Sequence, residues 1–177
     1  LCEGNFQGNN ASLHTLNDDA PSLETGDTGS SMAVYEDKVA VVNNGSSNIV
    51  IYTISPEGLI EYSSIIDLNG SQPREILIID DKAYISQWAV HSIAVIDLVT
   101  LEVEQIEIPG CSEGLTSDGN YLYATVKYLN NSNWPYPAGN TIEKIKQPFF
   151  MLFIIGYFQF TNLFTKYFLK HLFLNQL

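Results

Sequence analysis

The sequence predicts an all-β fold built from repeated four-stranded units, and two observations lead to this prediction. The first is a repeat with a period near forty residues: "EDKVAVVNNGSSNIVIYTI" (36–54) aligns without gaps to "DDKAYISQWAVHSIAVIDL" (80–98), and residues 76–86 align to residues 115–125. The second is the pattern inside each unit, where short apolar runs are separated by Asp, Asn, Ser and Gly, which favour turns. Self-similarity at this period is the signature of a repeat architecture.

The unit that follows residue 75 shows the predicted elements most clearly. We predict strands at residues 76–79, 83–86, 92–97 and 103–108. The two middle strands are nearly continuous apolar runs, as expected where both faces of a sheet are covered, whereas the fourth alternates and turns one face to water. Units of this kind are the blades of a β-propeller, with a solenoid or a meander sandwich as the alternatives. We therefore predict a β-propeller fragment of about three and a half blades.

The adjacent carboxylates Asp80 and Asp81 are predicted to form the turn between the first and second strands of this unit. The corresponding place holds Glu36 and Asp37 in the previous unit and "SDGN" (117–120) in the next. Asp, Asn and Gly recur there because they tolerate tight-turn backbone angles and bond to their own main chain. A metal or acid and base pair would need a converging third group, and none recurs.

The connections of a four-stranded meander alternate between its two ends, so the loops can be sorted by face. One end, here called the loop face, collects residues 43–48, 71–75, 87–92, 110–114 and 126–140. Both tryptophans and several cations lie there, and exposed indole and guanidinium groups are the usual anchors of recognition surfaces. The candidate ligand-binding residues are Asn43, Arg74, Gln87, Trp88, Lys127, Trp134 and Tyr136. The alternative interpretation is that Trp88 packs between blades and that Arg74 pairs with Glu75 or Glu113.

The charge of the chain excludes two classes of partner. Residues 1–140 carry four basic side chains against 19 acidic ones, a balance of 4 − 19 = −15. Nucleic-acid binding needs clustered Lys and Arg, and an anionic membrane surface repels such a body. The two cysteines, Cys2 and Cys111, fit neither a disulfide framework nor a zinc site.

No motif in the sequence indicates catalysis, a metal or a cofactor. His14, His91 and His171 stand in unrelated settings, without an HxxxH or HxH spacing. A GxSxG elbow, a P-loop and a GxGxxG fingerprint are all absent. We therefore predict a non-enzymatic protein with no catalytic residues, no metal ligands and no cofactor.

Several segments resemble one family of propellers. "YISQWAVHSIAVID" (84–97) is similar to the middle of a repeat in the YVTN, or YncE-like, seven-bladed family. "LCEGNFQGNNASLH" (1–14), "GDTGSSM" (26–32), "QPRE" (72–75) and "SEG" (112–114) resemble, in order, elements of its exported bacterial surface-layer branch. The resemblance covers residues 1 to about 145. Seven blades of about 40 residues need about 280, so we expect this chain to hold about half of such a propeller, as a truncated member.

The resemblance also implies a location and a ligand. Members of the surface-layer branch include surface lipoproteins that bind cobalamin and pass it to an outer-membrane transporter. The resemblance therefore implies an extracytoplasmic protein, in the periplasm or at the cell surface, that binds a corrinoid or a surface protein through the loop face. Membrane association would require a lipid anchor upstream of Leu1 or the C-terminal tail. The alternatives are a propeller enzyme of lactonase or quinoprotein-like type and a structural surface-layer component.

The C-terminal segment differs in kind from the rest of the chain. We place residues 1–146 in the partial propeller and residues 147–177 in a hydrophobic, Phe-rich tail outside it, either helical or non-native; eight of the nine phenylalanines fall in 149–177. The apolar stretch 149–164 would reach about 24 Å as a helix, short of a ~30 Å bilayer core. Its bias toward Phe, Leu, Ile, Lys, Asn and Tyr is what an AT-rich gene gives when it is translated in the wrong frame. A membrane anchor and an amphipathic packing helix are the other interpretations.

Overall fold

The structure is a computed structural model, and it describes residues 1–15, 21–127 and 140–146. All regular secondary structure in these ranges is β-strand, and every described strand pairing is antiparallel. The strands form four sheets in chain order, which we number 1 to 4. The described ranges contain no helix long and apolar enough to cross a bilayer. The predicted tail, residues 147–177, lies outside the described residues, and its separation from the propeller stays a prediction.

Sheet 1 consists of β1 (Ala11–Leu13) and β2 (Leu23–Gly26). Cys2 extends it, since its backbone N–H donates to the Ser12 carbonyl at 2.7 Å and its own carbonyl accepts from the Ser12 N–H at 3.0 Å. Residues 1–16 align to residues 39–54 at an offset of 38, which places Cys2 and β1 on the second and third strands of a unit. Sheet 1 therefore holds the outer part of a blade.

Sheets 2 and 3 are complete four-stranded meanders. Sheet 2 consists of β3 (Gly29–Tyr35), β4 (Lys38–Asn43), β5 (Asn48–Ile54) and β6 (Ile60–Asp67). Sheet 3 consists of β7 (Pro73–Ile79), β8 (Lys82–Gln87), β9 (Ser92–Asp97) and β10 (Val103–Glu107). Consecutive strands are neighbours in both sheets, as the repeat predicted.

Sheet 4 contains β11 (Cys111–Ser117), β12 (Tyr121–Lys127) and β13 (Asn140–Lys146), in that order. The first strands of sheets 2, 3 and 4 lie side by side, since β7 contacts both β3 and β11. Inner strands of propeller blades are arranged in this way around a central axis. The chain therefore shows one partial blade, two full blades and the first three strands of a fourth.

Period-two alternation explains how the sheets stack. On β4, Ala40 and Val42 face sheet 3, whereas Val39 and Val41 face sheet 1. On β8, Ile85 faces sheet 2 and Tyr84 faces sheet 4. Because both faces of each middle strand are covered, these strands read as continuous apolar runs rather than alternating ones. Each gap between neighbouring sheets is thus a separate hydrophobic core.

The acid pair at Asp80 and Asp81 forms a turn, as predicted. β7 ends at Ile79 and β8 begins at Lys82, and Asp80 has a left-handed φ of 52°, matched by 51° at Glu36 in sheet 2. Asp81 also accepts a hydrogen bond from the Tyr35 hydroxyl at 2.5 Å, which joins the turn to β3. This hydrogen bond is the main reason that the pKa of Tyr35 is raised to about 12.

Two strands begin earlier than the sequence indicated. β7 starts at Pro73 instead of residue 76, and β11 starts at Cys111, within the segment that we had placed in a loop. In both strands a β-bulge interrupts the pairing, between Pro73 and Ile76 and between Ser112 and Leu115. A bulge breaks the alternation that identifies a strand, which is why pattern reading stopped short of it.

Candidate functional site

The two bulges place Arg74 and Glu113 at equivalent positions of neighbouring inner strands. Residues 76–86 and 115–125 align at an offset of 39, and the same offset relates Arg74 to Glu113. In sheet 2 a bulge occupies the corresponding place, between Gly29 and Ser31. Bulges redirect side chains at the rims of sheets and next to functional sites. Here they bring a cation and a carboxylate together at the loop face.

Trp88 reaches the same point from the end of β8. Side chains of this strand alternate, so Tyr84, Ser86 and Trp88 are directed toward sheet 4, and the Ser86 hydroxyl donates to the Glu113 carbonyl at 2.6 Å. The Trp88 indole N–H donates to the Glu113 Oε2 at 2.8 Å, and the indole is half-buried. The sequence predicted the loop-face location of Trp88, and the structure supplies its partner.

Glu113 accepts hydrogen bonds from three side chains at this point. Its Oε1 accepts from Arg74 Nε at 3.4 Å, and its Oε2 accepts from Lys127 Nζ as well as from Trp88. The two cations also lie against the indole, with Arg74 Cζ at 4.2 Å and Lys127 Nζ at 5.4 Å from a Trp88 ring centroid. Cation–π contacts at these distances are attractive. We call these four residues the Trp88 cluster.

The electrostatics of the cluster keep Glu113 ionised. Burial opposes ionisation, but hydrogen bonds from Lys127 and Trp88, together with the charges of Lys127 and Arg74, hold the pKa of the Glu113 carboxyl below its usual range. The charged side chains are partly accessible, at 28% for Arg74, 30% for Glu113 and 39% for Lys127. The half-buried indole, in contact with two partly exposed cations, is therefore held in place before any ligand arrives.

Glu75 supports the backbone of the site. Its Oε2 accepts from the Leu115 N–H at 2.8 Å, and its own N–H donates to the Ser86 hydroxyl at 2.9 Å. The alternative pairing of Arg74 with Glu113 is thus the one found, while Glu75 is bonded across the gap to β11. Sequence reasoning named Glu113 only as that alternative, although its equivalence to Arg74 in the repeat was available as a signal.

Other predicted site residues lie elsewhere. Asn43 is fully buried, accepts from the Thr25 hydroxyl at 3.0 Å and donates to the Thr25 carbonyl at 2.8 Å, so it joins sheets 1 and 2. Gln87 is also fully buried and faces sheet 2, on the opposite side of β8 from Trp88. Trp134 and Tyr136 lie outside the described residues. Of the seven candidates, the structure brings together Arg74, Trp88 and Lys127.

The described ranges contain no group of three or more His, Cys, Asp and Glu side chains that could hold a metal ion. Both cysteines are free thiols; Cys2 is exposed and Cys111 is buried, and burial raises the pKa of the Cys111 thiol. The chemistry that the Trp88 cluster offers is recognition, through an aromatic face and cationic donors.

Comparison with known proteins addresses the fold. No protein-family model and no curated protein matches the chain. Among solved structures it is similar to a luciferin-regenerating enzyme, with a TM-score of 0.57 and 15% identity over 78% of this chain and 52% of that chain. A PQQ-bound aldose sugar dehydrogenase from Streptomyces coelicolor gives a TM-score of 0.49 and 8% identity over 68% and 43% of the two chains. A streptogramin B lyase gives 0.46 and 12% over 68% and 41%.

The likeness to the luciferin-regenerating enzyme bears on architecture and not on activity, because the identity is only 15%. The chain spans about half the length of the luciferin-regenerating enzyme that it matches. The four sheets in chain order, the adjacent inner strands and this similarity agree with one another. The described residues form an all-β, partial β-propeller.

Proposed function

We propose that the protein is a non-enzymatic, extracytoplasmic propeller that binds a small ligand or a protein partner through its loop face, with the Trp88 cluster as the anchor. The observation that carries this proposal is the partly exposed indole of Trp88, hydrogen-bonded to Glu113 and in contact with the cations Arg74 and Lys127. Trp and Arg are the residue types in which binding energy is most often concentrated.

The cluster suits binding because its geometry exists before the ligand arrives. Glu113 takes hydrogen bonds from the indole and both cations, which removes much of the side-chain freedom that a ligand would otherwise have to order. Arg74, Glu113 and Lys127 lie on β7, β11 and β12, and Trp88 directly follows β8, so strands of two sheets support the cluster. Sites on regular strands hold their geometry better than sites on loops.

A corrinoid is the specific ligand that we propose. The resemblance to the surface-layer branch of YncE-like propellers points to it, and the site chemistry is compatible. A corrin is a broad, partly planar ring with peripheral amides, and in cobalamin it carries a phosphodiester. Trp88 offers an apolar face to such a ring, and Arg74 and Lys127 offer donors to amide and phosphate oxygens.

Isothermal titration calorimetry of the 177-residue chain with cyanocobalamin tests this proposal. We expect saturable binding that Trp88→Ala weakens by about tenfold or more, since truncation of an anchor costs upward of ~1.4 kcal/mol. The matched control is Tyr62→Ala, which removes an aromatic side chain that is 62% exposed on β6, away from the cluster. The control should bind as the wild type does.

The titration, combined with an assay of lactone hydrolysis, separates the competing functions. Heat of binding without turnover of an added aliphatic lactone supports a binding protein, whereas lactone hydrolysis supports a propeller enzyme. Absence of both in a folded protein would overturn the proposal and favour a structural surface-layer role. Equal weakening by Trp88→Ala and Tyr62→Ala would place the site outside the Trp88 cluster.

A further inference from the structure

A cleft of about 450 Å³ opens at the loop face between sheets 2 and 3. It is separate from the Trp88 cluster, because Gln87 and Trp88 point to opposite sides of β8. Its floor is Gln87, its inner wall is the link between β6 and β7, and its outer wall is the cleft-facing side of β10. The volume is in the range of small-molecule sites.

Two buried polar atoms at this cleft have no hydrogen-bond partner among the described residues. Gln87 is 0% exposed and Ser71 is 3% exposed, and the Gln87 Oε1 and the Ser71 Oγ are both unpaired. Buried polar groups are nearly always paired, since leaving one without a partner costs about 1–3 kcal/mol. Such atoms in the wall of a cleft are what a ligand with matching groups would satisfy.

The orientation of the Gln87 amide is fixed by its nitrogen. The Nε2 donates to the Ser92 carbonyl at 3.1 Å and to the Gln105 Oε1 at 2.9 Å, and both partners are acceptors. Turning the amide over would place its oxygen against the Ser92 carbonyl oxygen, which can only accept. The Oε1 therefore remains available as an acceptor, and it requires a donor from the ligand.

The remaining lining residues define the charge of that ligand. Asp67 and Glu107 stand at the cleft, Leu68, Val90 and Val103 supply apolar wall, and none of the described lining residues is Lys or Arg. Two carboxylates and a free amide oxygen disfavour an anion and favour a cation that carries N–H donors.

We infer that this cleft binds a small organic ammonium, with its N–H groups directed to the Gln87 Oε1 and the carboxylates and its apolar part against Val90 and Val103. This site is distinct from the proposed corrinoid surface. Either proposal can therefore fail without the other, because the two sites lie in different gaps and favour ligands of different charge.

Binding of 2-phenylethylammonium tests the inference, followed by the methyl signals of Val90 and Val103 and the ring signals of His91, which also lines the cleft. We expect saturable shifts with the ammonium probe, weaker ones with neutral 2-phenylethanol and none with 3-phenylpropionate. Glu107→Gln should weaken ammonium binding about fivefold. Glu107 is exposed at the end of β10, so this variant is expected to fold.

Glu104→Gln is the matched control, since it makes the same charge change on the same strand. Val103, Gln105 and Glu107 face the cleft, so Glu104 faces away from it. Ser71→Ala gives a second arm, which removes an unpaired hydroxyl and should weaken binding without loss of stability. Unchanged signals with the ammonium probe would mean that water alone satisfies the buried atoms, and would overturn the inference. Equal effects of Glu107→Gln and Glu104→Gln, or an equal or tighter fit of either other probe, would overturn it as well.

Discussion

The gap between sheets 2 and 3 and the gap between sheets 3 and 4 are built from the same repeat. They differ in the side chains that they present at the loop face. Between sheets 3 and 4, the end of the gap is closed by the Trp88 cluster, in which Glu113 accepts from three side chains. Between sheets 2 and 3, the end of the gap is an open cleft, where no described residue pairs with the Gln87 Oε1 or the Ser71 Oγ. The repeat fixes the scaffold, and individual residues at its rim decide whether a gap is closed by charge or left open.

Below the rim the two gaps are alike, and this likeness can be tested by cavity-creating substitutions. Ile85→Ala on the sheet 2 side and Leu122→Ala on the sheet 4 side each remove a side chain that is 0% exposed. We expect each to lower the free energy of unfolding by about 3 kcal/mol. Urea denaturation measures it, with Val99→Ala, at a position 75% exposed, as the control that changes by less than about 0.5 kcal/mol. A cost below about 1 kcal/mol for either core variant would show that its gap is not a packed core.

The Trp88 cluster predicts a stability that depends on pH. Glu113→Gln should lower the free energy of unfolding by about 2 kcal/mol at pH 7, because charged hydrogen bonds from Arg74, Trp88 and Lys127 are weakened. The pKa of Glu113 is lowered from its ordinary 4.5 on folding. Its stabilisation is therefore present above pH 4.5 and is lost as the pH falls through the folded-state pKa.

Urea titrations of wild type and Glu113→Gln at pH 7 and at successively lower pH should thus converge in acid. Glu107→Gln, at the cleft, serves as the matched carboxylate control. A stability difference for Glu113→Gln that is the same at every pH would contradict the assigned role of its charge.

Two buried serines give the smallest and most direct contrast between the gaps. The Ser86 hydroxyl accepts from the Glu75 N–H at 2.9 Å and donates to the Glu113 carbonyl at 2.6 Å, whereas the Ser71 hydroxyl has no partner in the part of the chain that the structure describes. Ser86→Ala should cost about 1–2 kcal/mol, because it leaves two backbone groups unpaired. Ser71→Ala should cost close to nothing. Chemical denaturation of the two variants side by side decides the point; an equal cost would mean that Ser71 has a partner after all.

The scaffold was largely predictable because its signals are local. Apolar runs, turn residues such as Asp80 and Asp81, and the spacing of units follow from backbone sterics and strand periodicity. The predicted start of β7 was wrong by three residues, since the bulge at Arg74 and Glu75 breaks that periodicity. The same bulge creates the site, so pattern reading was least reliable where the function is proposed.

The candidate site was only partly predictable. Arg74, Trp88 and Lys127 were named from residue type and face, and they lie together. Asn43 and Gln87 were named on the same grounds and are buried, because a residue at a strand end can face the neighbouring sheet as readily as solvent. Nothing in the sequence distinguishes these two outcomes.

The sequence by itself determined the class of fold, the order of the strands and the turn at Asp80 and Asp81, because each depends on residues close together along the chain. Only the tertiary structure decided that Glu113 joins Arg74, Trp88 and Lys127, and that Gln87 forms the floor of a cleft beside Ser71. The contacts of Glu113 link residues 14 to 39 positions apart, and those to Arg74 and Trp88 join neighbouring sheets. They depend on how bulged strands pack across a gap, and no local preference of the chain specifies that packing.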